Sequence, residues 1–221
     1  MSKLVFKFGL VALLLVASGV IVRQAAMGES DLRSVLSSQI IRYRIVPSKS
    51  TFIVHANRTG PLWFKGHSHR IAVRDFGGEA ELTPNVINPA SLQMTVRAAS
   101  LEETDPVFTQ VQKDIINKEL KEIVLETAKF PEITFQSTGV KGGLKNGKVD
   151  AVITGNLSLH GVTKPIEIPA TITLEGSNLR ATGEFDIDRD DFDVKATSAF
   201  HGTVRVKNNL KFVFDIIAEK A

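Results

Sequence analysis

An alternating pattern runs through residues 149–160, which read Val-Asp-Ala-Val-Ile-Thr-Gly-Asn-Leu-Ser-Leu-His. Apolar or small side chains occupy every second position from Val149 to Leu159, and polar residues such as Thr154 and Asn156 stand between most of them. Because successive side chains of a β-strand point to opposite faces, this spacing predicts a strand with one buried face.

The same period of two recurs at 166–174, 179–187 and 212–218, where apolar or small residues alternate with mostly polar ones. Glycine, asparagine and proline between the segments are typical turn residues. About nine or ten strands in sequence, several of them long, indicate a sheet that curls and closes. The sequence therefore predicts an all-β protein, an antiparallel β-barrel. Further strands are predicted at 50–57, 62–74, 77–82, 91–99, 132–138 and 198–206.

One segment breaks the strand pattern. Asp105 is a suitable helix cap with Pro106 at the first helical position, and apolar residues follow at helical spacing through Val124, ahead of Pro131. We expect one amphipathic α-helix here. A single helix beside a barrel is well placed to cover one of its open ends.

Composition limits the classes of function. The chain has 221 residues, of which 43% are hydrophobic and 23% charged, the range of one ordinary globular domain. Its net charge is 27 − 24 = +3, and removal of Lys3 and Lys7 in the N-terminal segment leaves +1, so no basic face predicts nucleic-acid binding. The sequence contains no cysteine, which excludes disulfides, zinc–thiolate sites and thiol nucleophiles.

The N-terminus has the pattern of an export signal. Lys3 and Lys7 precede fifteen uncharged, mostly apolar residues, Phe8 to Val22. That run is short for a comfortable transmembrane helix, which favours a cleaved signal peptide over an uncleaved anchor. We therefore expect a signal peptide or N-terminal membrane anchor at 1–26, a tether at 27–40 and the barrel domain at 41–221. The expected location is periplasmic or otherwise extracytoplasmic.

Four separated motifs occur in order along the chain. They are Tyr43-Arg-Ile-Val-Pro-Ser48 with Thr51-Phe-Ile-Val-His55, Lys129-Phe-Pro-Glu-Ile-Thr-Phe-Gln-Ser137, Gly155-Asn-Leu-Ser-Leu-His-Gly-Val-Thr-Lys-Pro165 and Phe185-Asp-Ile-Asp-Arg-Asp-Asp-Phe192. Together these motifs resemble the YceI-like family of exported lipid-binding proteins. The resemblance spans about residues 42 to 220, and Asp193 stands where the family usually has glycine.

The resemblance implies a lipocalin-like barrel around a long apolar channel that holds an isoprenoid chain, such as a polyprenyl or quinone tail. It implies that the protein carries or sequesters an isoprenoid or other long-chain lipid, with the inner membrane as its source. The resemblance implies no set of catalytic residues, so we expect no enzyme activity and no cofactor apart from the bound lipid. The oligomeric state is left open, a dimer included.

The residues themselves leave two interpretations of the barrel interior. A barrel of about eight strands is either filled by side chains or holds one small ligand. Small inward residues either leave room along the axis or fit the taper of a packed core; these are Ala151, Gly155, Ala170, Ala181 and Gly183. With the resemblance, a channel is the favoured interpretation. Its candidate lining residues are Phe52, Val54, Phe64, Ile153, Leu157, Ile168, Ile172, Phe185, Ile187, Phe212 and Phe214.

His67 and His69 provide the alternative function, a metal or haem site. Two residues apart on the predicted strand 62–74, their imidazoles would leave the same face, as paired metal ligands must. A third ligand would have to come from elsewhere in the chain, and a polar strand near the barrel rim is the favoured explanation. The candidates for that third ligand are His55, His201, Asp75 and Glu79.

Overall fold

The computed structural model of this chain describes residues 40–83, 86–145, 148–195, 197–199 and 203–221. The predicted leader at 1–26 lies outside the described residues, as does the predicted tether apart from Ile40. Both therefore stay predictions. The strands are β1 (Ile41–Ile45), β2 (Thr51–Ala56), β3 (Arg58–Thr59), β4 (His69–Val73), β5 (Phe76–Thr83), β6 (Val86–Arg97), β7 (Leu101–Glu103), β8 (Glu132–Lys145), β9 (Lys148–Leu159), β10 (Val162–Glu175), β11 (Asn178–Asp188), β12 (Ser198–Ala199), β13 (Val204–Val206) and β14 (Asn209–Lys220).

Eight antiparallel strands close into a barrel in the order β1-β5-β6-β8-β9-β10-β11-β14, and β14 pairs back onto β1 with Tyr43 opposite Lys220. Strands β2, β4 and β7 continue β1, β5 and β6 past a bend, since β2 pairs with both β14 and β4, and β4 with β7. Strands β3, β12 and β13 form a separate small sheet. The predicted all-β antiparallel barrel is thus confirmed.

The two ends of the barrel differ. At one end, which we call the helix end, β4 begins, β7 ends, and the chain passes through α1 (Gln110–Glu119) and a π-helical turn (Leu120–Val124) before β8 begins. The opposite end, the hairpin end, holds the connections β5–β6, β8–β9 and β10–β11. Within the described ranges, no helix has the length and apolar composition needed to cross a bilayer.

The predicted alternation sets the inward and outward faces of the long strands. In β9, Ala151, Ile153, Leu157 and Leu159 are buried while Val152 between them is 36% exposed. At the end of this strand His160 has a φ of +52°, ahead of Gly161. His160 is therefore a turn residue between β9 and β10.

The predicted strand 62–74 is wrong in its first half, because the chain forms a 3₁₀ turn at Trp63–Lys65 and β4 begins only at His69. Gly60 has a φ of +100°, and a Cβ there would lie 2.5 Å from the carbonyl oxygen of Thr203. This close approach lets β3 pair with β13 and turns the chain before Trp63. The predicted strand 198–206 likewise consists of two short strands, β12 and β13.

The predicted helix start at Asp105 and Pro106 is also wrong. Asp105 Oδ1 instead accepts a hydrogen bond from the Val107 N–H at 3.0 Å, which closes a local turn. Helix α1 begins four residues later with a capping box, in which Thr109 Oγ1 accepts from the Gln112 N–H and Gln112 Oε1 accepts from the Thr109 N–H. Two caps compete locally, and the reciprocal one begins the helix.

Candidate ligand-binding cavity

The barrel encloses a cavity of about 880 Å³. Its wall consists of the inward faces of the barrel strands, with Ile116 of α1 and Leu120 and Val124 of the following turn at the helix end. The volume lies towards the upper limit of ligand pockets, roughly 300–1,000 Å³. Because the helical segment forms part of the wall, it covers the barrel end as the sequence predicts.

Ten of the eleven residues proposed from sequence line this cavity, and Phe64 does not. Phe64 lies in the 3₁₀ turn outside the barrel and is 60% exposed, because the strand that would have placed it inward does not form. Ligand contact by the other ten stays a prediction. They are Phe52, Val54, Ile153, Leu157, Ile168, Ile172, Phe185, Ile187, Phe212 and Phe214.

Phenylalanine rings cluster on one side of the cavity. The rings of Phe185 and Phe212 stack with centroids 4.9 Å apart, while Phe52 lies 6.2 Å from Phe212 and Phe214 lies 6.2 Å from Phe185. The cluster follows from the register, since β14 lies between β11 and β2 and pairs Phe212 with Phe185 and Phe214 with Phe52. Neighbouring strands thus bring distant phenylalanines together.

The inward glycines do not leave empty space. A Cβ on Gly155 would lie 2.4 Å from Cζ of Phe135 and 2.5 Å from the carbonyl oxygen of Gln136, and one on Gly183 would lie 2.3 Å from the carbonyl oxygen of Pro169. Of the five small residues predicted to leave room, Ala181 lines the cavity, and Ala151, Gly155, Ala170 and Gly183 do not.

Polar lining residues lie towards the two ends of the cavity, and the middle is apolar. At the hairpin end the buried Thr83 belongs to the wall, while Glu81 borders the cavity but turns its carboxylate outward to Arg42. The helix end carries a larger polar group, which sequence analysis did not assign to the cavity. Its members are His69, Glu119, Thr134, Arg189 and Thr197.

His69 is held by a buried carboxylate. Glu103, 2% exposed, places Oε2 2.7 Å from Nδ1 of His69, and its Oε1 accepts from the backbone N–H groups of Arg70 at 3.2 Å and Asp105 at 2.8 Å. Burial by itself would raise the pKa of Glu103, but the hydrogen bonds from His69, Asp105 and Arg70 outweigh it and hold the pKa below its usual value. Glu103 therefore fixes the His69 ring at the cavity wall.

The prediction that His67 and His69 lie on the same strand is wrong, because His67 precedes the first residue of β4. Both rings instead pack on Phe108, each with its centroid 5.4 Å from the phenylalanine ring. In the part of the chain that the structure describes, no three histidine, aspartate or glutamate side chains converge as metal ligands would. His201, one proposed third ligand, lies outside that part.

The sequence model of the YceI-like domain matches residues 43–218. The chain belongs to the YceI-like family. Among curated relatives of this YceI-like protein, a UPF0312 protein of Shewanella sp. strain ANA-3 is 34% identical over 125 residues, 56% of this chain and 60% of the relative. A UPF0312 protein of Pseudomonas fluorescens is 35% identical over 130 residues, 54% of this chain and 61% of the relative. The aligned regions thus span about three-fifths of these relatives.

Solved structures share the fold of this YceI-like protein. BcnA of Burkholderia cenocepacia matches with a TM-score of 0.62 and 19% identity, over 78% of this chain and 98% of that one. A polyisoprenoid-binding domain from Saccharophagus degradans, implicated in plant cell wall breakdown, matches with a TM-score of 0.57 and 14% identity, over 82% of this chain and 99% of that one. The barrel is therefore the shared architecture.

Proposed function

We propose that this protein binds the isoprenoid chain of a lipid, such as a polyprenyl or quinone tail, in the barrel cavity. One observation carries the proposal: a closed barrel surrounds about 880 Å³ whose wall is apolar through its middle. Such a wall offers an alkyl or prenyl chain no hydrogen bond and excludes it from water. The likeness to the Saccharophagus degradans polyisoprenoid-binding domain, together with family membership, favours an isoprenoid over other long-chain lipids.

The proposed role is to carry or sequester this lipid outside the cytoplasm, with the inner membrane as its source. Each buried methylene contributes about 0.8 kcal/mol relative to water, so a long chain would be held almost irreversibly if water were the alternative. The alternative is a bilayer, which is nearly as apolar as the cavity. The net preference is therefore small, and it suits uptake and release. The export pattern of residues 1–26 supports the location.

We propose that no bond is made or broken in this process. YceI-like proteins are binding proteins rather than enzymes. The polar groups at the helix end, His69 among them, would then contact the lipid head group while the tail occupies the apolar middle. The histidine metal site is not proposed, since no three histidine, aspartate or glutamate side chains converge among the described residues.

The test is mass spectrometry of organic extracts from protein purified out of its native compartment. We expect an isoprenoid lipid near one molecule per chain, and reloading of the delipidated protein by a polyprenol in competition with a saturated fatty acid. An extract without lipid, together with failure of the delipidated protein to take up polyprenol, would contradict the proposal. Preferential uptake of the fatty acid would contradict the isoprenoid assignment alone.

A further inference from the structure

The helical segment exposes apolar side chains on the face opposite the cavity. Val111 and Ile115 of α1 lie one turn apart and are 70% and 56% exposed, and Ile123 further along is 55% exposed. By contrast, Ile116 and Leu120 line the cavity. The segment therefore has two apolar faces, and the core accounts for only one of them.

An aromatic tip lies beside this segment. Trp63 and Phe64, in the 3₁₀ turn after β3, are 52% and 60% exposed and contact each other edge to face at 6.4 Å. The guanidinium of Arg58 lies 5.2 Å from the Trp63 ring centroid. Apolar patches that are exposed in this way mark interaction sites on soluble domains.

The tip and the helical face belong to one end of the barrel. His67, two residues after the turn, packs edge to face on Phe108 at 5.4 Å. Phe108 directly follows the exposed Val107 and precedes the cap of α1. We call this set the helix-end surface; its apolar members are Trp63, Phe64, Val107, Val111 and Ile115.

The segment that carries the aromatic tip is positively charged. Residues 57–71 contain three cationic residues, Arg58, Lys65 and Arg70, and no aspartate or glutamate, so the segment carries a charge of +3. The helical segment 110–124 is neutral, with three lysines against one aspartate and two glutamates. The excess positive charge therefore lies beside the exposed aromatics, the combination found in proteins that bind anionic membrane surfaces.

We propose that the helix-end surface docks on a bilayer that contains anionic phospholipid. Trp63, Phe64 and Val111 enter the boundary between head groups and acyl chains, and Lys65 and Arg58 contact phosphate. Docking in this orientation brings the helix-covered end of the cavity to the membrane. The inference goes beyond the proposed cargo, because it concerns the partner surface and its test needs no bound lipid.

Trp63 makes the proposal directly measurable, since it is the only tryptophan in the sequence. Protein purified from its native compartment and delipidated is mixed with vesicles of phosphatidylcholine, with or without phosphatidylglycerol. With phosphatidylglycerol we expect Trp63 emission to shift to the blue and to be quenched by lipids brominated in the acyl chain. The quenching reports insertion of the tip itself, whatever the N-terminal segment does.

Variants locate the contact. Phe64→Ser combined with Val111→Ser removes two apolar anchors. We expect the association constant for vesicles to fall about tenfold or more, and the quenching of Trp63 to fall with it. Lys65→Glu should weaken binding only where phosphatidylglycerol is present, and added salt should weaken it likewise. The matched control is Val152→Ser, an exposed apolar residue on the outer face of β9, which should bind like the wild type.

Three results would overturn the proposal. The first is an unquenched Trp63 in phosphatidylglycerol vesicles, and the second is equal losses in the double variant and in Val152→Ser. The third is a blue shift without vesicles that grows with protein concentration and accompanies dimerisation in sedimentation, which would assign the surface to a second copy of the chain. Lipid extraction is measured separately, so failure of docking and failure of the proposed cargo are distinguishable.

Discussion

At the scale of single residues, Glu103 stands out because it is the charged residue that is buried in the described part of the chain. Its carboxylate lies in the barrel wall and accepts hydrogen bonds from the His69 ring and from two backbone N–H groups. Removing one partner from such a buried cluster leaves the others unsatisfied, which commonly costs more than the bond itself contributes. The cluster joins β4 to the end of β7, so its effect is expected on stability.

The first prediction concerns Glu103→Gln and its pH dependence. Since the pKa of Glu103 is lowered in the folded protein, its stabilising contribution is complete above the usual value of 4.5 and is lost as the pH falls through the lower folded-state value. We expect the variant to lose about 1.5–3 kcal/mol of unfolding free energy at neutral pH, and less below pH 4.5. Denaturant unfolding across this pH range measures the difference.

Glu102→Gln is the matched control for that measurement. Glu102 is the neighbouring residue on β7, but its side chain is 49% exposed and pairs with Arg74 on the surface. An exposed ion pair contributes about 0–1 kcal/mol, so the control should differ little from the wild type. Equal losses in the two variants, or a Glu103→Gln difference that does not shrink in acid, would contradict the assigned role.

At the scale of elements, the helical segment is held over the barrel by few polar contacts. Asn117 of α1 accepts a hydrogen bond from the backbone N–H of Glu103 at 2.7 Å, which ties the helix to β7. The apolar contribution comes from Ile116, Leu120 and Val124 at the cavity wall. A segment with so small a buried face opens more readily than the barrel strands do.

Asn117→Ala should therefore loosen the helical segment without unfolding the barrel. We expect the unfolding free energy to fall by about 1 kcal/mol and amide hydrogen exchange to accelerate over residues 110–124, while β9 and β10 keep their protection. Gln110→Ala serves as control, because the exposed Gln110 side chain donates its hydrogen bond to Asp114 within the same helix. Uniform acceleration over strands and helix alike would show that Asn117 supports the whole barrel instead.

At the scale of the whole molecule, closure of the eight strands leaves a cavity that a ligand or a side chain can fill. Ala181 of β11 lines it, between Ile172 and Ile216 on the neighbouring strands. Gly155 and Ala170 are less suitable for adding volume. A Cβ on Gly155 would overlap Phe135, and Ala170 is buried in the core between Ile168 and Ile172 without lining the cavity.

Ala181→Phe should abolish lipid uptake with little change in the stability of the delipidated protein. The added ring enters the cavity, whereas the same ring in a filled core would cost about 1–3 kcal/mol. Val152→Phe, which adds a ring to the outer face of the barrel, is the control and should retain uptake. Thermal unfolding and polyprenol binding are measured on both variants. Lost stability with uptake intact would show that this part of the cavity does not hold the lipid.

The sequence by itself determined seven of the eight barrel strands, their inward faces and ten of the cavity-lining residues, because alternation in a strand is a local property that burial makes visible. The short strand β1 was not among the predicted strands. Other features depend on contacts between residues far apart in the chain. Pairing of β3 with β13 turns residues 60–65 away from the barrel and exposes Phe64; the packing of Phe135 fills the space at Gly155; and pairing of β4 with β7 places Glu103 against His69. Only the tertiary structure decided these, because register and close approach between distant segments leave no periodic trace in the sequence.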